Sequence, residues 1–302
     1  MRYTIFAVLV LALAAVLAAC SPLVLLNAVV PRDGYARTTD LPYGPLARQQ
    51  LDVYAPATPV EKAPRPVVIF FYGGGWESGD RTDYRFVAQA LASQGIIAVV
   101  PDYRVYPQVR FPQFIADGAK VLRWVKNNVA RFGGDPNHLF VMGHSAGAHI
   151  AAMLTLDQTF LRAVDMSPTT LRGMIGLAGP YDFLPLRSDT LRTIFGSVEE
   201  RWRSQPINFV DGSNPPMLLM TGSEDTTVSP GNTARLAAKI QAHGGSVTVK
   251  SIPGVTHAGV LLRLAAPFRG DGEIHRAVID FIHTHSQASM RAFIETESPF
   301  VR

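Results

Sequence analysis

The chain has 302 residues, of which 47% are hydrophobic and 17% charged, a composition typical of a globular protein with a sizeable core. The formal net charge is +4, but no run of lysine and arginine stands out, so nothing indicates a nucleic-acid partner. The single cysteine, Cys20, excludes an intramolecular disulfide and a metal site made of clustered thiolates.

The first 19 residues have the pattern of a secretory signal peptide, with a basic start, an apolar run and small residues before Cys20. Leu17-Ala18-Ala19-Cys20 resembles a bacterial lipobox, which implies that Cys20 is acylated and becomes the mature N-terminus. We therefore expect a protein that is lipid-anchored in the bacterial cell envelope and faces the periplasm, with the outer membrane slightly favoured. The alternative is an uncleaved transmembrane helix, because apolar residues resume over residues 23–30.

Residues 20–47 are predicted to be the lipidated N-terminus and a linker, and residues 48–302 to be one α/β domain. Strand patterns occur at residues 49–54, 66–72, 96–100, 139–142, 173–178, 217–221 and 246–252. Helix patterns occur at residues 84–93, 112–131, 146–156, 232–243 and 273–286. This alternation predicts a mostly parallel, doubly wound sheet with helices on both faces. Residues 180–214 have no clear strand and are interpreted as either a short cap over a pocket or a surface insertion.

The pentapeptide Gly143-His144-Ser145-Ala146-Gly147 lies between an apolar strand and a helix pattern. Strand, sharp turn and helix are the context in which G-x-S-x-G forms a nucleophile elbow. The glycines are needed because side chains at these positions would clash with the neighbouring strand and helix. Ser145 is therefore the candidate nucleophile, and the alternative is an ordinary serine that caps the helix.

A serine hydroxyl needs a base to take its proton, and the base needs a group that orients it. Asp225, directly after the strand at 217–221, is the candidate acid. Its alternative role is to cap the helix that begins near Pro230. Glu224 and Asp182 are the rival acids, although the spacing of Asp182 favours a turn role.

His257 follows the strand that ends at Ile252 and is the candidate base, which completes the order serine, acid, histidine. His144 is interpreted as packing under the turn, and His149 as packing or capping on the following helix. The remaining histidines are not clustered with carboxylates or cysteines, so no metal site is predicted.

Attack on a carbonyl produces an oxyanion, which requires backbone N–H donors that are already in place. The segment Tyr72-Gly73-Gly74-Gly75-Trp76 follows a buried strand ahead of the elbow. We expect the amides of Gly74 and Gly75, together with the amide of Ala146, to form the oxyanion hole. Trp76 is predicted to line the acyl or alcohol pocket, whereas core packing is the simpler interpretation of Phe183 and Trp202.

Together these segments resemble the α/β-hydrolase superfamily, specifically its carboxylesterase branch with an HGGG-type oxyanion motif. Bacterial feruloyl-esterase-like and kynurenine-formamidase-like members look most similar, and the resemblance covers about residues 48–286. It implies the α/β-hydrolase fold and a triad of Ser145, Asp225 and His257. One departure is Tyr72, which stands where this family usually has the histidine that braces the loop.

The leading functional hypothesis is a serine carboxylesterase that hydrolyses small to medium acyl or aryl esters. Hydrolysis of formamides of the N-formylkynurenine type is the nearest alternative. A non-catalytic envelope binding protein is the alternative from another class, because a fold does not determine a function. No cofactor is implied, the expected partners are a small ester and the membrane, and the sequence does not indicate the oligomeric state.

Overall fold

A computed structural model describes residues 22–57 and 65–296. The predicted signal peptide, residues 1–19, and the predicted lipidation site, Cys20, lie outside the described residues. Among the helices that are described, none combines the length and the hydropathy needed to cross a bilayer.

Eight strands form one sheet, and helices connect most of them. The strands are β1 (Tyr35–Pro42), β2 (Gln50–Pro56), β3 (Arg65–Phe71), β4 (Ile97–Pro101), β5 (Gly134–His144), β6 (Leu171–Leu177), β7 (Met217–Gly222) and β8 (Val247–Ile252). The described helices are α1 (Pro22–Val29), α2 (Arg85–Ala92), α3 (Gln113–Asn128), α4 (Ala146–Leu156), α5 (Gln158–Arg162), α6 (Asp189–Ile194), α7 (Gly231–Ala242), α8 (His257–Leu262) and α9 (Glu273–Thr296).

The strand order across the sheet is β1-β2-β4-β3-β5-β6-β7-β8. The β1–β2 and β2–β4 pairs are antiparallel, and every other pair is parallel. At the centre, Ile69 of β3 aligns with Val99 of β4 and Val141 of β5. The apolar runs of these strands are buried on both faces, as expected where helices cover both sides of a parallel sheet. The predicted α/β-hydrolase fold is therefore confirmed.

The prediction of a linker before residue 48 is wrong for β1. This strand pairs with β2 from Tyr35 opposite Pro56 to Pro42 opposite Gln50, and it forms one edge of the sheet. Its side chains are mostly exposed, so the strand lacks the alternation of apolar and polar residues that reveals a half-buried strand.

Helix α1 also packs on the domain within the segment that was predicted as linker. Leu26 and Val30 are buried. The side chain of Asn27 accepts a hydrogen bond from the amide of Phe86 at the start of α2 (3.1 Å) and donates one to the carbonyl of Thr82 (3.1 Å). Asn27 therefore satisfies an amide in the first turn of α2, which would otherwise lack a partner within the helix.

The segment 180–214 contains α6 and short 3₁₀ turns and is tied to the domain by side-chain amides. Asn232 of α7 accepts hydrogen bonds from the amides of Tyr181 (3.0 Å) and Asp182 (2.9 Å). Gln205, inside the segment, accepts one from the amide of Phe183 (2.7 Å). Phe183 in turn packs on Trp76, with ring centroids 5.8 Å apart, so the segment covers the residue that follows the glycine triplet.

Candidate active site

Ser145 lies on the sharp turn between β5 and α4, with φ 55° and ψ −123°. Few non-glycine residues adopt a positive φ, and such strain costs about 1–3 kcal/mol. The turn is possible because its flanking residues lack side chains. A Cβ on Gly143 would come within 2.2 Å of the Gly147 carbonyl oxygen, and a Cβ on Gly147 within 2.0 Å of the Phe71 carbonyl oxygen. The geometry is that of a nucleophile elbow.

His257 is the first residue of α8, and its imidazole is held by Asp225. The Nδ1 atom lies 2.8 Å from Oδ2 of Asp225. The other carboxylate oxygen, Oδ1, accepts hydrogen bonds from the amides of Thr227 (2.9 Å) and Val228 (2.8 Å). Asp225 is only 5% exposed. Because an ionised carboxylate only accepts hydrogen bonds, a neutral His257 carries its proton on Nδ1 and has a free lone pair on Nε2.

The loop that carries His257 touches the elbow through His144. The Nε2 atom of His144 lies 3.1 Å from the backbone carbonyl oxygen of His257, and the two ring centroids are 4.8 Å apart. Burial, reinforced by repulsion from His257, lowers the pKa of His144 to about 4. His144 therefore packs beside the turn, as expected, but it also contacts the residue predicted to be the base.

The glycine loop, which runs from Tyr72 to Gly79 after β3, lies against the elbow and His144. A Cβ on Gly73 would lie 3.1 Å from Cβ of Ser145 and 3.1 Å from Nδ1 of His144. Gly74 has φ 126°, and a Cβ there would come within 2.3 Å of the Ser78 carbonyl oxygen. The amides of Gly74 and Gly75 make no hydrogen bond with other described residues, so both remain available as donors.

The amide of Ala146 is also available, because it opens α4 and the first amides of a helix have no partner within the helix. Ala146 directly follows Ser145 on the elbow. The three predicted oxyanion donors are therefore all free backbone N–H groups, two on the glycine loop and one on the elbow that the loop touches.

Tyr72 begins the glycine loop and is anchored by its hydroxyl. The hydroxyl donates to Oδ1 of Asp102 (2.7 Å) and accepts from Nη2 of Arg48 (2.8 Å). The same Arg48 nitrogen donates to the carbonyl of Gly79 at the far end of the loop (2.8 Å). The ring of Tyr72 stacks between Tyr84 and Tyr103, with centroids 5.1 and 4.8 Å away. The loop is thus braced by a phenol and its ionic partners in place of a histidine.

The brace extends into a buried ionic network that the sequence analysis missed. Arg81 donates from its backbone amide to Oδ1 of Asp102 (2.9 Å) and from Nε to Oδ1 of Asp52 (3.0 Å). Its guanidinium also pairs with Asp40 on β1. Strands β1 and β2, the end of β4 and the glycine loop are therefore joined by one group of paired charges. In the sequence, the segment Pro101-Asp102-Tyr103-Arg104 contains Asp102 and was the signal from which this network could have been found.

Trp76 is 5% exposed and lies in an aromatic cluster beside the glycine loop. Its ring centroid is 4.8 Å from that of Phe195 and 5.2 Å from that of His149. The Nε2 atom of His149, on α4, lies 2.7 Å from the backbone carbonyl oxygen of Ser204. Ser204 belongs to residues 180–214, the covering segment. In this closed arrangement, Nε1 of Trp76 and Nδ1 of His149 are buried without a hydrogen-bond partner among the described residues.

Several alternative candidate residues lie away from the point where the three loops meet. Glu224 is exposed. Asp182 forms its ion pair with Arg235. Trp202 is 50% exposed and stacks on Phe209, so it does not reach the cluster. Within residues 22–57 and 65–296, no group of histidine, cysteine, aspartate or glutamate side chains is arranged to hold a metal ion.

The sheet topology and the strained serine turn define the protein as an α/β-hydrolase. The sequence model of the BD-FAE family matches residues 51–240, more than half of the chain, and the protein belongs to this family.

Curated relatives include several esterases. The chain is 29% identical over 263 residues to isoprenylcysteine alpha-carbonyl methylesterase ICME of Arabidopsis thaliana, covering 80% of this chain and 61% of that protein. It is 34% identical over 239 residues to esterase LipC of Mycobacterium tuberculosis, covering 73% of this chain and 59% of LipC. The chain thus spans only about three fifths of the length of these two relatives.

Solved structures share the fold. Esterase B of Lactobacillus rhamnosis, inhibited by a tributyrin phosphonate, superposes with a TM-score of 0.79 at 21% identity, covering 97% of this chain and 98% of that one. Esterase 2 of Thermogutta terrifontis superposes with a TM-score of 0.69 at 22% identity, covering 84% of this chain and 96% of that one. At these identities the likeness establishes the common architecture.

Proposed function

We propose that this protein is a serine carboxylesterase that hydrolyses small to medium acyl or aryl esters through an acyl-enzyme. The proposal is carried by one observation: the loop holding the His257–Asp225 pair, the Ser145 turn and the glycine loop all meet at His144 and Gly73. Membership of the BD-FAE family and the esterase names of the relatives support the same chemistry.

In the proposed reaction, Oγ of Ser145 attacks the ester carbonyl while Nε2 of His257 takes the hydroxyl proton. Asp225 accepts the Nδ1–H of His257, which fixes the tautomer and stabilises the imidazolium. The imidazolium then protonates the departing alcohol oxygen, which leaves the acyl group on Ser145. Water activated by His257 attacks the acyl-enzyme, and the acid is released with Ser145 restored.

The negative oxygen formed in each half-reaction is proposed to bind the amides of Gly74, Gly75 and Ala146. These amides need no rearrangement to serve as donors, because no other described group occupies them. Loss of a single donor of this kind costs about 10²–10³-fold in rate in serine hydrolases. A bulkier residue at Gly74 is not tolerated sterically, because of the nearby Ser78 carbonyl.

The aromatic cluster favours substrates with a flat or apolar group next to the ester. The rings of Trp76, Phe183 and Phe195 pack on one another beside the glycine loop, under the segment 180–214. A buried polar atom without a partner costs about 1–3 kcal/mol. A polar substituent of a substrate that entered the cluster would relieve this cost at Nε1 of Trp76 or Nδ1 of His149.

Hydrolysis of p-nitrophenyl acetate, p-nitrophenyl butyrate and N-formylkynurenine by the purified protein tests the proposal. We expect turnover of the esters to exceed turnover of the formamide, with Ser145→Ala reducing ester turnover to background. Faster formamide turnover would identify an arylformamidase instead. Absence of turnover in folded wild-type protein on a broad ester and formamide panel would favour a binding protein.

We also propose that Cys20 carries a lipid that anchors the protein in the bacterial envelope with its catalytic domain in the periplasm. The proposal rests on the apolar leader and the lipobox-like Leu17-Ala18-Ala19-Cys20. Stable anchoring requires more than one acyl chain, which lipoprotein processing supplies. Metabolic labelling with palmitate should be lost in Cys20→Ala. Unchanged labelling, or a wild-type protein that keeps its leader in the membrane, would favour the transmembrane alternative.

A further inference from the structure

His144 stands where the three loops of the candidate site meet. Its backbone joins β5 to Ser145, and a Cβ on Gly73 would lie 3.1 Å from its Nδ1. Its Nε2 atom lies 3.1 Å from the carbonyl oxygen of His257. His144 is buried, at 7% exposure, so solvent has little access to this contact. A single side chain therefore touches the turn that carries the nucleophile, the oxyanion loop and the backbone of the base.

The chemistry of this contact determines which nitrogen of His144 carries the proton. A carbonyl oxygen only accepts hydrogen bonds, so Nε2 of His144 must be the donor. A neutral imidazole has one proton, and the Nδ1 facing Gly73 is then unprotonated. A neutral ring is also what the base requires, because a second cation 4.8 Å from His257 would oppose formation of its imidazolium.

We propose that His144 is a positioning residue, whose Nε2–H holds the His257 carbonyl and thereby sets the imidazole of the base against Ser145. The inference rests on the proposed function. His257 opens the short helix α8, and Thr256 caps that helix by accepting from the amide of Gly259 (3.3 Å). The hydrogen bond from His144 adds an anchor at the residue that carries the base. Displacement of a catalytic group by about 1 Å costs about 10²-fold in rate.

Two amide substitutions separate this role from simple filling of space. In His144→Gln the terminal amide nitrogen can occupy the place of Nε2 and donate to the same carbonyl. In His144→Asn the side chain is one methylene shorter, and its amide cannot reach. We expect His144→Asn to lower kcat by about 10- to 100-fold with KM little changed, whereas His144→Gln should stay within about threefold of wild type.

Equal kcat values for His144→Asn and wild type would overturn the proposal, as would an equal loss in both variants. A parallel Ser145→Ala measurement keeps the two inferences distinguishable. If Ser145→Ala remains active, the proposed function fails. If Ser145→Ala is inactive while His144→Asn is fully active, only the positioning role fails.

A spectroscopic measurement on the wild-type protein reports the tautomer of His144 independently of any change in kcat. The ¹⁵N chemical shifts of the histidine side chains distinguish the two neutral tautomers, and comparison with His144→Gln assigns the His144 signals. We expect His144 to be the Nε2–H tautomer at pH 7. A proton on Nδ1 would contradict the hydrogen bond to His257 and with it the proposal.

Discussion

Replacement of Tyr72 by phenylalanine tests how the glycine loop is braced. The change removes one hydroxyl that donates to Asp102 (2.7 Å) and accepts from Arg48 (2.8 Å) and leaves the stacked ring in place. Hydrogen bonds to charged groups contribute about 1.5–3 kcal/mol each. Both partners keep other contacts, Asp102 with Arg81 and Arg48 with Gly79. We therefore expect a loss of about 2–3 kcal/mol in the free energy of unfolding, which is less than the sum of two isolated bonds.

For a domain of this size, the loss corresponds to a fall of about 4–10 °C in Tm. Circular dichroism melting and urea denaturation measure it directly. Tyr106→Phe is the matched control, because the Tyr106 hydroxyl makes no hydrogen bond with other described residues, and its Tm should stay close to wild type. Ester turnover by Tyr72→Phe should fall as well, since the loop carries two of the proposed oxyanion donors. If both variants melt within about 1 °C of wild type, the account of the brace is wrong.

Three further changes probe the elbow, the candidate acid Asp225 and the buried histidines. Gly147→Ala should prevent folding or abolish activity, because its Cβ would lie 2.0 Å from the Phe71 carbonyl oxygen; soluble, active protein would contradict this. Asp225→Asn should lower kcat by about 10³–10⁴-fold with the fold preserved, since the amide cannot select the Nδ1–H tautomer of His257, the proposed base, as the carboxylate does; kinetics and Tm together check it. Burial lowers the pKa values of His144 and His149 from 6.5 to about 4, so the unfolded state binds more protons below pH 6.5. The stability contributed by the neutral histidines should therefore be nearly full at pH 7.5 and above, and the free energy of unfolding should fall by about 4 kcal/mol between pH 7 and pH 5; equal urea midpoints at pH 7 and pH 5 would refute it.

The central sheet was predictable because its strands are buried on both faces. Runs such as Val67–Phe71 and Leu139–Met142 are continuously apolar and end in glycine-containing turns, which is a local signal. The elbow was predictable for the same reason, since its five residues and their flanking strand and helix occupy one continuous stretch of the sequence. The order of Ser145, Asp225 and His257 then supplied the candidate triad, and the His257–Asp225 hydrogen bond agrees with that order.

Strand β1 and the brace on the glycine loop were not predicted, because residues that are close in the sequence carry no signal for either of them. Strand β1 is mostly exposed, and only its pairing with β2 reveals it. The brace on the glycine loop joins Arg48, Tyr72 and Asp102. Arg48 and Tyr72 are 24 positions apart in the sequence, and Tyr72 and Asp102 are 30 positions apart. No periodicity within a window of sequence links residues at such separations. The substitution of tyrosine for histidine in the loop was visible, but its partners became apparent only when the strands were paired.

Covalent labelling with a fluorophosphonate probe tests the central claim most directly, because it reports the activated nucleophile without requiring the physiological substrate. The full-length wild-type protein should react once, at Ser145, as mapped by peptide mass spectrometry. Ser145→Ala should not react, and His257→Ala should react much more slowly. Labelling of another residue, or no labelling of folded wild-type protein, would contradict the proposed convergence of nucleophile, base and acid.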